Sequence, residues 1–147
     1  MDMATSWSRA PRFEDYPKEK TNMRAILVDD YPPFLAALKL LLRQEPAIEV
    51  VGHAQDGREG LKLAEELKPD LVLVDYAMPV MDGMALVKEL KKRADPPKIV
   101  MVSFHAEPEY REMAKDAGVD GYLVKTEIHK ELLPMLRTLI KPPPQQG

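Results

Sequence analysis

The sequence predicts an α/β fold in which helices cover both faces of one five-stranded parallel sheet. Short apolar runs alternate five times with stretches in which apolar residues recur at helical spacing. Three of the runs are nearly continuous in apolar residues, which is typical of strands buried on both faces. Four of the runs also end on a polar or charged side chain, where a parallel strand reaches the edge of its sheet.

The strands are predicted from these apolar runs. They cover residues 25–30, 47–52, 71–75, 98–104 and 121–125. The second run differs from the others because Glu49 interrupts it, and a polar residue inside a strand favours an exposed position at the edge of the sheet. Right-handed crossovers then leave few topologies for the sheet.

Five helices are predicted from the helical spacing. They cover residues 34–45, 57–67, 84–92 and 107–117, and a last helix that ends near 141. Pro32 and Pro33 stand at the start of the first helix, where an N–H group is not needed. Pro134 conflicts with the last helix, because a proline past the first turn removes a backbone hydrogen bond. Either that helix kinks or it begins late, near Lys130, and we favour the late start.

Composition narrows the classes of function. The chain has 147 residues, enough for one ordinary domain, and a formal net charge of −3. This balance predicts no direct binding to nucleic acid and none to an anionic membrane. The absence of cysteine excludes disulfides and thiolate metal sites and fits a cytoplasmic protein. No apolar run reaches the roughly 18 residues of a membrane span, and the N-terminus lacks the apolar core of a signal peptide.

The chain is predicted to hold one domain with a short segment at each end. Residues 1–23 mix charges with prolines without a sustained period and predict a flexible arm. The domain is expected over residues 24–141. The ending KPPPQQG leaves residues 142–147 as a proline-rich tail, which is either the stiff start of a linker or a frayed end.

The polar side chains that end the apolar runs are the candidate functional residues. They are Asp29, Asp30, Asp75, Ser103 and Lys125. Because the carboxyl ends of parallel strands meet at one edge of a sheet, we expect these side chains to converge on one shallow cleft.

This set of side chains predicts phosphoryl chemistry. Three carboxylates within a few ångström repel one another, which raises their pKa values or requires a cation. Oxygen ligands beside water suit Mg²⁺ better than Zn²⁺. A carboxylate can itself be the nucleophile that forms an aspartyl phosphate, and a cation, an ammonium and a hydroxyl can neutralise the oxygens of the transferred group. The residues therefore predict a phosphorylatable aspartate with Mg²⁺.

With these residues in place, the sequence resembles the receiver domain of bacterial two-component response regulators. The resemblance runs from about residue 24 to 141. It rests on the acid pair Asp29-Asp30, the segment DYAMPVMDG (75–83), Ser103, and GYLVK ending at Lys125. It is strongest toward LuxR/NarL-type receivers, which precede a helix-turn-helix. The resemblance implies a flavodoxin-like (βα)5 fold with strand order 2-1-3-4-5.

The resemblance also implies a role for each residue of the acid cluster. Asp75 would accept a phosphoryl group from a phosphohistidine of a sensor histidine kinase or a phosphotransfer protein. Asp30, Asp75 and the backbone carbonyl of Ala77 would bind Mg²⁺ directly, whereas Asp29 would act mainly through water. Lys125 would pair with Asp75 at rest and with the phosphoryl group after transfer.

Further positions are assigned to switching and tuning by the same resemblance. Ser103 would bind a phosphoryl oxygen and move toward it, and Tyr122 matches the aromatic residue that turns inward as the hydroxyl moves. Ala77 and His105 would tune the lifetime of the phosphoryl group. Phe104 replaces the small residue usual in the family, and its ring either narrows access to Asp75 or turns outward.

Three functions are weighed. The favoured one is a signalling module, switched by phosphorylation, that controls a transcriptional output domain or a partner and promotes only its own phosphorylation and dephosphorylation. A homodimer is an open possibility. The alternatives are a degenerate receiver that acts as an interaction module without phosphorylation, and a phosphatase. The phosphatase is disfavoured because such enzymes carry an acid two residues after the nucleophile, where this chain has Ala77.

Structural explanations exist for single members of the set. Asp29 or Asp30 could cap the first helix, because side-chain oxygens of aspartate accept the free N–H groups there. Lys125 could be an ordinary surface charge and Ser103 an ordinary hydroxyl at the end of a strand. Tyr122 could serve packing alone.

Overall fold

Five parallel strands form one sheet in the computed structural model, which describes residues 23–140. The strands are β1 (Met23–Val28), β2 (Ile48–Ala54), β3 (Leu71–Asp75), β4 (Lys98–Ser103) and β5 (Gly121–Val124). Their order across the sheet is β2-β1-β3-β4-β5, and every neighbouring pair is parallel. The predicted fold class and strand order are confirmed, and β2 lies at an edge, as Glu49 indicated.

Helices connect the strands and follow the last one. They are α1 (Pro32–Leu42), α2 (Gly57–Leu67), α3 (Gly83–Lys91), α4 (Pro108–Ala117) and α5 (Ile128–Leu139), with a single 3₁₀ turn (Lys125–Glu127) before α5. Pro32 and Pro33 occupy the first turn of α1, as predicted. Asp56 and Asp82 cap α2 and α3 by accepting backbone N–H groups of the first turn.

The strands supply both layers of the core because neighbouring side chains point to opposite faces. Ala25 and Leu27 of β1 pack in the cluster that includes α1 and α5. Ile26 and Val28 of the same strand pack in the cluster that includes α2, α3 and α4. All five residues of β3 are buried, so its last residue, Asp75, is held by packing on both faces of the sheet.

The start of the last helix was predicted wrongly. α5 begins at Ile128 rather than near Lys130, and Pro134 lies inside it. Both Pro134 and Lys130 are exposed, so water can reach the Lys130 carbonyl that Pro134 cannot bond. The helix therefore continues through the proline on its solvent side, while Leu132 and Leu136 are buried on the other side.

Smaller differences concern the ends of elements. β1 begins at Met23, and β2 continues beyond the predicted run to Ala54, because Val28 of β1 still pairs with Ala54. Apolar composition does not reveal how far this backbone pairing extends. α1 ends at Leu42, three residues before the predicted end.

The predicted end segments fall almost wholly on residues that the structure does not describe. Residues 1–22 of the predicted arm and the tail 142–147 lie outside the described residues, whereas Met23 belongs to β1. Within residues 23–140, no helix is long and apolar enough to cross a membrane.

Replacing Pro134 by alanine should stabilise the protein. Pro134→Ala restores an N–H donor inside α5, and we expect the free energy of unfolding to rise by about 1–3 kcal/mol. Urea denaturation measures the change. Pro33→Ala is the matched control, because Pro33 lies in the first turn of α1 and interrupts no helical hydrogen bond there. A Pro134→Ala variant no more stable than Pro33→Ala would contradict this account of α5.

Candidate functional site

The predicted site residues come together at the carboxyl edge of the sheet. Asp75 is the last residue of β3, and Ser103 is the last residue of β4. Asp29 directly follows β1, and Lys125 directly follows β5. In four neighbouring strands, β1, β3, β4 and β5, a polar side chain ends the strand or directly follows it. Because these side chains stand at the same edge of the sheet, the sheet itself aligns the site.

A buried ammonium joins two buried carboxylates at the centre of the site. The Nζ atom of Lys125 lies 2.8 Å from Oδ2 of Asp29 and 3.2 Å from Oδ1 of Asp75. The side chains of Lys125, Asp29 and Asp75 are only 6%, 2% and 8% exposed. Lysine is almost never buried to this degree without a charged partner. Lys125 is therefore not an ordinary surface charge.

Asp30 completes a group of three acids. Oxygen atoms of Asp29, Asp30 and Asp75 all lie within 4.8 Å of one another, and Asp30 is the exposed member. Oδ2 of Asp29 contacts the ammonium, but it has no partner in hydrogen-bond geometry among residues 23–140. The ion pair with Lys125 is therefore the contact that compensates the burial of this oxygen. An oxygen-only donor set with an exposed side fits a hard divalent cation such as Mg²⁺.

The surroundings of Asp75 shift the pKa of its carboxyl group. The pKa of Asp75 is raised from 3.8 to about 6, chiefly by burial and next by the nearby Asp29 carboxylate. The Lys125 ammonium opposes this rise, because it favours the charged form. The charged form of Asp75 is therefore disfavoured in this site unless a further positive charge binds nearby.

The capping alternative for the acid pair is wrong. Tyr31 is the N-cap of α1, and no side chain caps that helix. Oδ1 of Asp29 instead accepts the N–H of Tyr31 at 2.8 Å, a bond that orients the carboxylate toward the site.

The turn after β3 brings the backbone of α3 against the backbone of Asp75 and Tyr76. The N–H of Gly83 donates to the carbonyl of Tyr76 at 3.0 Å. A Cβ atom at Gly83 would lie 2.2 Å from the carbonyl oxygen of Asp75, so only glycine fits. Ala77, between them, is exposed, and its carbonyl accepts no backbone N–H from the described residues.

Ser103 and Tyr122 are both tied to the loop after β4. Oγ of Ser103 accepts the N–H of His105 at 3.0 Å, and the hydroxyl of Tyr122 donates to the carbonyl of His105 at 2.7 Å. The Tyr122 ring is 7% exposed, so in this structure it is turned inward. Burial raises the pKa of the Tyr122 hydroxyl, which keeps it a donor at neutral pH.

Aromatic packing also holds the His105 side chain. Its ring stacks on Tyr110 of α4 at 4.0 Å between centroids, and Tyr76 meets both rings edge-on. Glu107 lies 3.6 Å from Nδ1 of His105. Tyr76, which directly follows Asp75, thus contacts Tyr110 of α4 and the His105 ring that stacks on Tyr110. The sequence did not indicate these contacts.

Two phenylalanine rings lie close to the ammonium of Lys125. The Phe104 ring is 70% exposed, so it points outward, with its centroid 5.0 Å from Nζ of Lys125. The Phe34 ring lies 4.4 Å from the same atom. Phe34 begins the first helix predicted from apolar spacing, and that pattern did not reveal this contact. Its position four residues after Asp30, in the first turns of a helix that starts at the acidic edge, was the available signal.

The comparisons with known proteins establish the family. The chain matches the family model of the response regulator receiver domain over residues 25–137, and it belongs to that family. It is 34% identical over 123 residues to the transcriptional regulatory protein LiaR of Bacillus subtilis, covering 84% of this chain and 58% of LiaR. It is 38% identical over 111 residues to the nitrate/nitrite response regulator protein NarL of Escherichia coli K12, covering 76% of this chain and 51% of NarL.

A solved structure supports the same assignment. A DNA-binding response regulator of the LuxR family from Staphylococcus aureus has a TM-score of 0.75 and 26% identity, covering 81% of this chain and 99% of that chain. The predicted resemblance to LuxR/NarL-type receivers is confirmed. The chain spans about half the length of the curated relatives it matches.

The raised pKa of Asp75 predicts a pH-dependent effect of Asp75→Asn on stability. Between pH 3.8 and about 6, the folded protein keeps a proton on Asp75 that the unfolded chain has released. The stability of the wild type therefore falls as the pH rises through this interval, whereas that of Asp75→Asn does not fall for this reason. We expect the stability of the variant relative to the wild type to increase up to about pH 6 and then to level off.

Urea denaturation of both proteins over this pH range, with a chelator present, measures the effect. The chelator excludes divalent cations, which would bind the charged form of the site. A stability difference that is constant with pH, or that shrinks as the pH rises, would contradict the raised pKa.

Proposed function

We propose that this domain is a signalling module switched by phosphorylation of Asp75. The observation that carries the proposal is a buried carboxylate at the end of β3, 3.2 Å from an ammonium and beside two further acids. Such a carboxylate can act as a nucleophile toward phosphorus. The ammonium beside it can then bind the oxygens of the transferred group.

The proposed donor is a phosphohistidine of a sensor histidine kinase or a phosphotransfer protein. A carboxylate oxygen of Asp75 attacks phosphorus, and the bond between phosphorus and the histidine nitrogen breaks. The nitrogen keeps the bonding electrons and is protonated by solvent. Lys125 then pairs with the phosphoryl oxygens instead of the Asp75 carboxylate, and the Ser103 hydroxyl donates a hydrogen bond to one of them.

Mg²⁺ is the cofactor that we propose. Asp30, Asp75 and the carbonyl of Ala77 would hold it directly, and Asp29 mainly through water. The close approach of the three acids, with Asp30 exposed, supports this ligand set. When bound, the ion neutralises negative charge on the phosphoryl oxygens.

Ser103 and Tyr122 are the proposed switch residues. Both are bonded to the backbone of His105, so a shift of Ser103 toward a phosphoryl oxygen would strain the loop that also holds Tyr122. Such a local change in charge can bias a surface with two arrangements. Ala77, Phe104 and His105 flank Asp75 and are proposed to set access to it and the lifetime of its phosphoryl group.

The proposed output is control of transcription through a further domain or partner. The support is similarity to the receiver portions of longer relatives, among them a transcriptional regulatory protein. We propose a kinase or a phosphotransfer protein as the upstream partner and a homodimer as a possible output state. The degenerate receiver remains the alternative, since the Phe104 ring stands next to the ammonium that must bind the phosphoryl group.

A small acyl phosphate should modify the protein at Asp75. Incubation with Mg²⁺ and the acyl phosphate should add the mass of one phosphoryl group, measured by intact-protein mass spectrometry, and a chelator should abolish the gain. Asp75→Asn should give no adduct, because the amide is not nucleophilic. Asp95→Asn, at an exposed loop acid, is the matched control and should react like the wild type. No adduct on the wild type, and no response to beryllofluoride with Mg²⁺, would instead support the degenerate receiver.

Removing the buried ammonium should destabilise the domain and strengthen its response to Mg²⁺. Lys125→Met leaves two buried carboxylates without their shared cation, and we expect a loss of about 3–5 kcal/mol in the absence of metal. Because the ion supplies the missing positive charge, Mg²⁺ should raise the melting temperature of the variant more than that of the wild type.

Lys98→Met is the matched control for this experiment. Lys98 is 48% exposed and lies 4.0 Å from Asp120, so its loss should cost at most about 1 kcal/mol and should not change the effect of Mg²⁺. Thermal unfolding with Mg²⁺ or with a chelator measures all three proteins. If Mg²⁺ stabilises Lys125→Met less than the wild type, the ion does not bind at these acids.

A further inference from the structure

The Lys125 ammonium lies near the faces of two phenyl rings as well as beside two carboxylates. Nζ of Lys125 is 4.4 Å from the centroid of the Phe34 ring and 5.0 Å from that of the Phe104 ring. Both distances lie within the roughly 6 Å over which the face of a ring attracts a cation. The two rings come from different parts of the chain, one from α1 and one from the loop after β4.

The two rings differ in how they are held. Phe34 is half-buried and packs against the core cluster that includes α1 and α5. Phe104 is 70% exposed and directly follows Ser103. The side chain of Lys125 is nevertheless only 6% exposed, with one exposed ring and one packed ring near its ammonium. Packing does not require phenylalanine at an exposed position. The contact of the Phe104 ring with the Lys125 ammonium supplies a different reason for this residue.

Rings hold a cation in a different way from carboxylates. A carboxylate attracts an ammonium and at the same time neutralises it for any other anion. The face of a phenyl ring attracts the ammonium through a quadrupole and contributes no net charge. The rings therefore help to hold the Lys125 ammonium without adding to its neutralisation by Asp29 and Asp75. Binding of the phosphoryl group also costs less conformational entropy, because the position of the ammonium is already restricted.

We propose that Phe34 and Phe104 form an aromatic clamp on the Lys125 ammonium and are positioning residues for the phosphoryl group bound at Asp75. The proposal rests on the proposed function of the site and adds a means of presenting the ammonium. The clamp holds Lys125 in reach of Asp75 while the charge on Asp75 changes from a carboxylate to an acyl phosphate. Neither ring touches the reacting atoms in this role.

Leucine and tyrosine substitutions separate the clamp from simple packing. Phe34→Leu and Phe104→Leu keep an apolar side chain but remove the ring face. Phe34→Tyr keeps the ring face and is the conservative variant. Tyr31→Leu is the matched control for loss of an exposed ring, because Tyr31 is 60% exposed and makes no cation contact with Lys125 among the described residues.

Two measurements test the clamp. Titration of beryllofluoride in the presence of Mg²⁺ gives the affinity for a phosphoryl mimic, and titration of Mg²⁺ alone is its reference. Proton NMR of the ε-methylene group of Lys125 reports the rings directly, because protons above a ring face are shifted upfield. This second measurement needs neither phosphorylation nor bound metal.

We expect each leucine variant to weaken beryllofluoride binding by about three- to tenfold. Mg²⁺ binding should stay unchanged, since a phenyl ring supplies none of the oxygen ligands that the ion takes. The Lys125 ε-methylene signal should move downfield in both leucine variants. Phe34→Tyr and Tyr31→Leu should keep the wild-type affinity and the wild-type signal.

Three results would overturn the proposal. An unchanged Lys125 signal in both leucine variants would mean that the rings do not hold the ammonium. A shifted signal with unchanged beryllofluoride affinity would mean that the contact does not position Lys125 for the phosphoryl group. If the wild type itself binds no beryllofluoride, the proposed function fails and the positioning role fails with it. This failure is distinguishable from failure of the clamp alone, because it is seen in the wild type before either ring is replaced.

Discussion

The ion pairs of Lys125 with Asp29 and Asp75 are the interaction on which the rest of the site depends. They lie where burial disfavours every charge, and the pKa of Asp75 is raised despite the ammonium beside it. The site is thus short of positive charge in its resting form. In the proposed function, a divalent cation would relieve that shortage and a phosphoryl group would restore it, so that one buried lysine would serve both states.

The sheet makes this costly arrangement possible. Asp75 is rigid because β3 is buried on both faces, and Asp29, Ser103 and Lys125 end neighbouring or nearby strands at the same level. The apolar layers on both faces compensate for the buried charges in the total stability of the domain. The surrounding loops then complete the site, above all the loop at His105, whose backbone is hydrogen-bonded to both Ser103 and Tyr122.

Much of the fold and of the site was predictable from residue types and their order. Parallel strands end at a common edge, so the polar residues that ended the apolar runs had to meet, and Asp29, Asp30, Asp75 and Lys125 do so. Pro134 shows where such reasoning fails. Whether a helix tolerates a proline depends on the solvent exposure of the carbonyl that loses its donor, and that exposure is a property of the packed molecule.

The sequence by itself determined the α/β class, the edge position of β2 and the identity of the acidic cluster, because these follow from hydrophobic period and from the shared direction of parallel strands. Only the tertiary structure decided that Lys125 bridges Asp29 and Asp75, that Tyr122 is turned inward and that Phe34 faces the ammonium. These contacts join residues far apart in the chain. Their distances depend on how α1 and the loops pack on the sheet, and no local pattern records that packing.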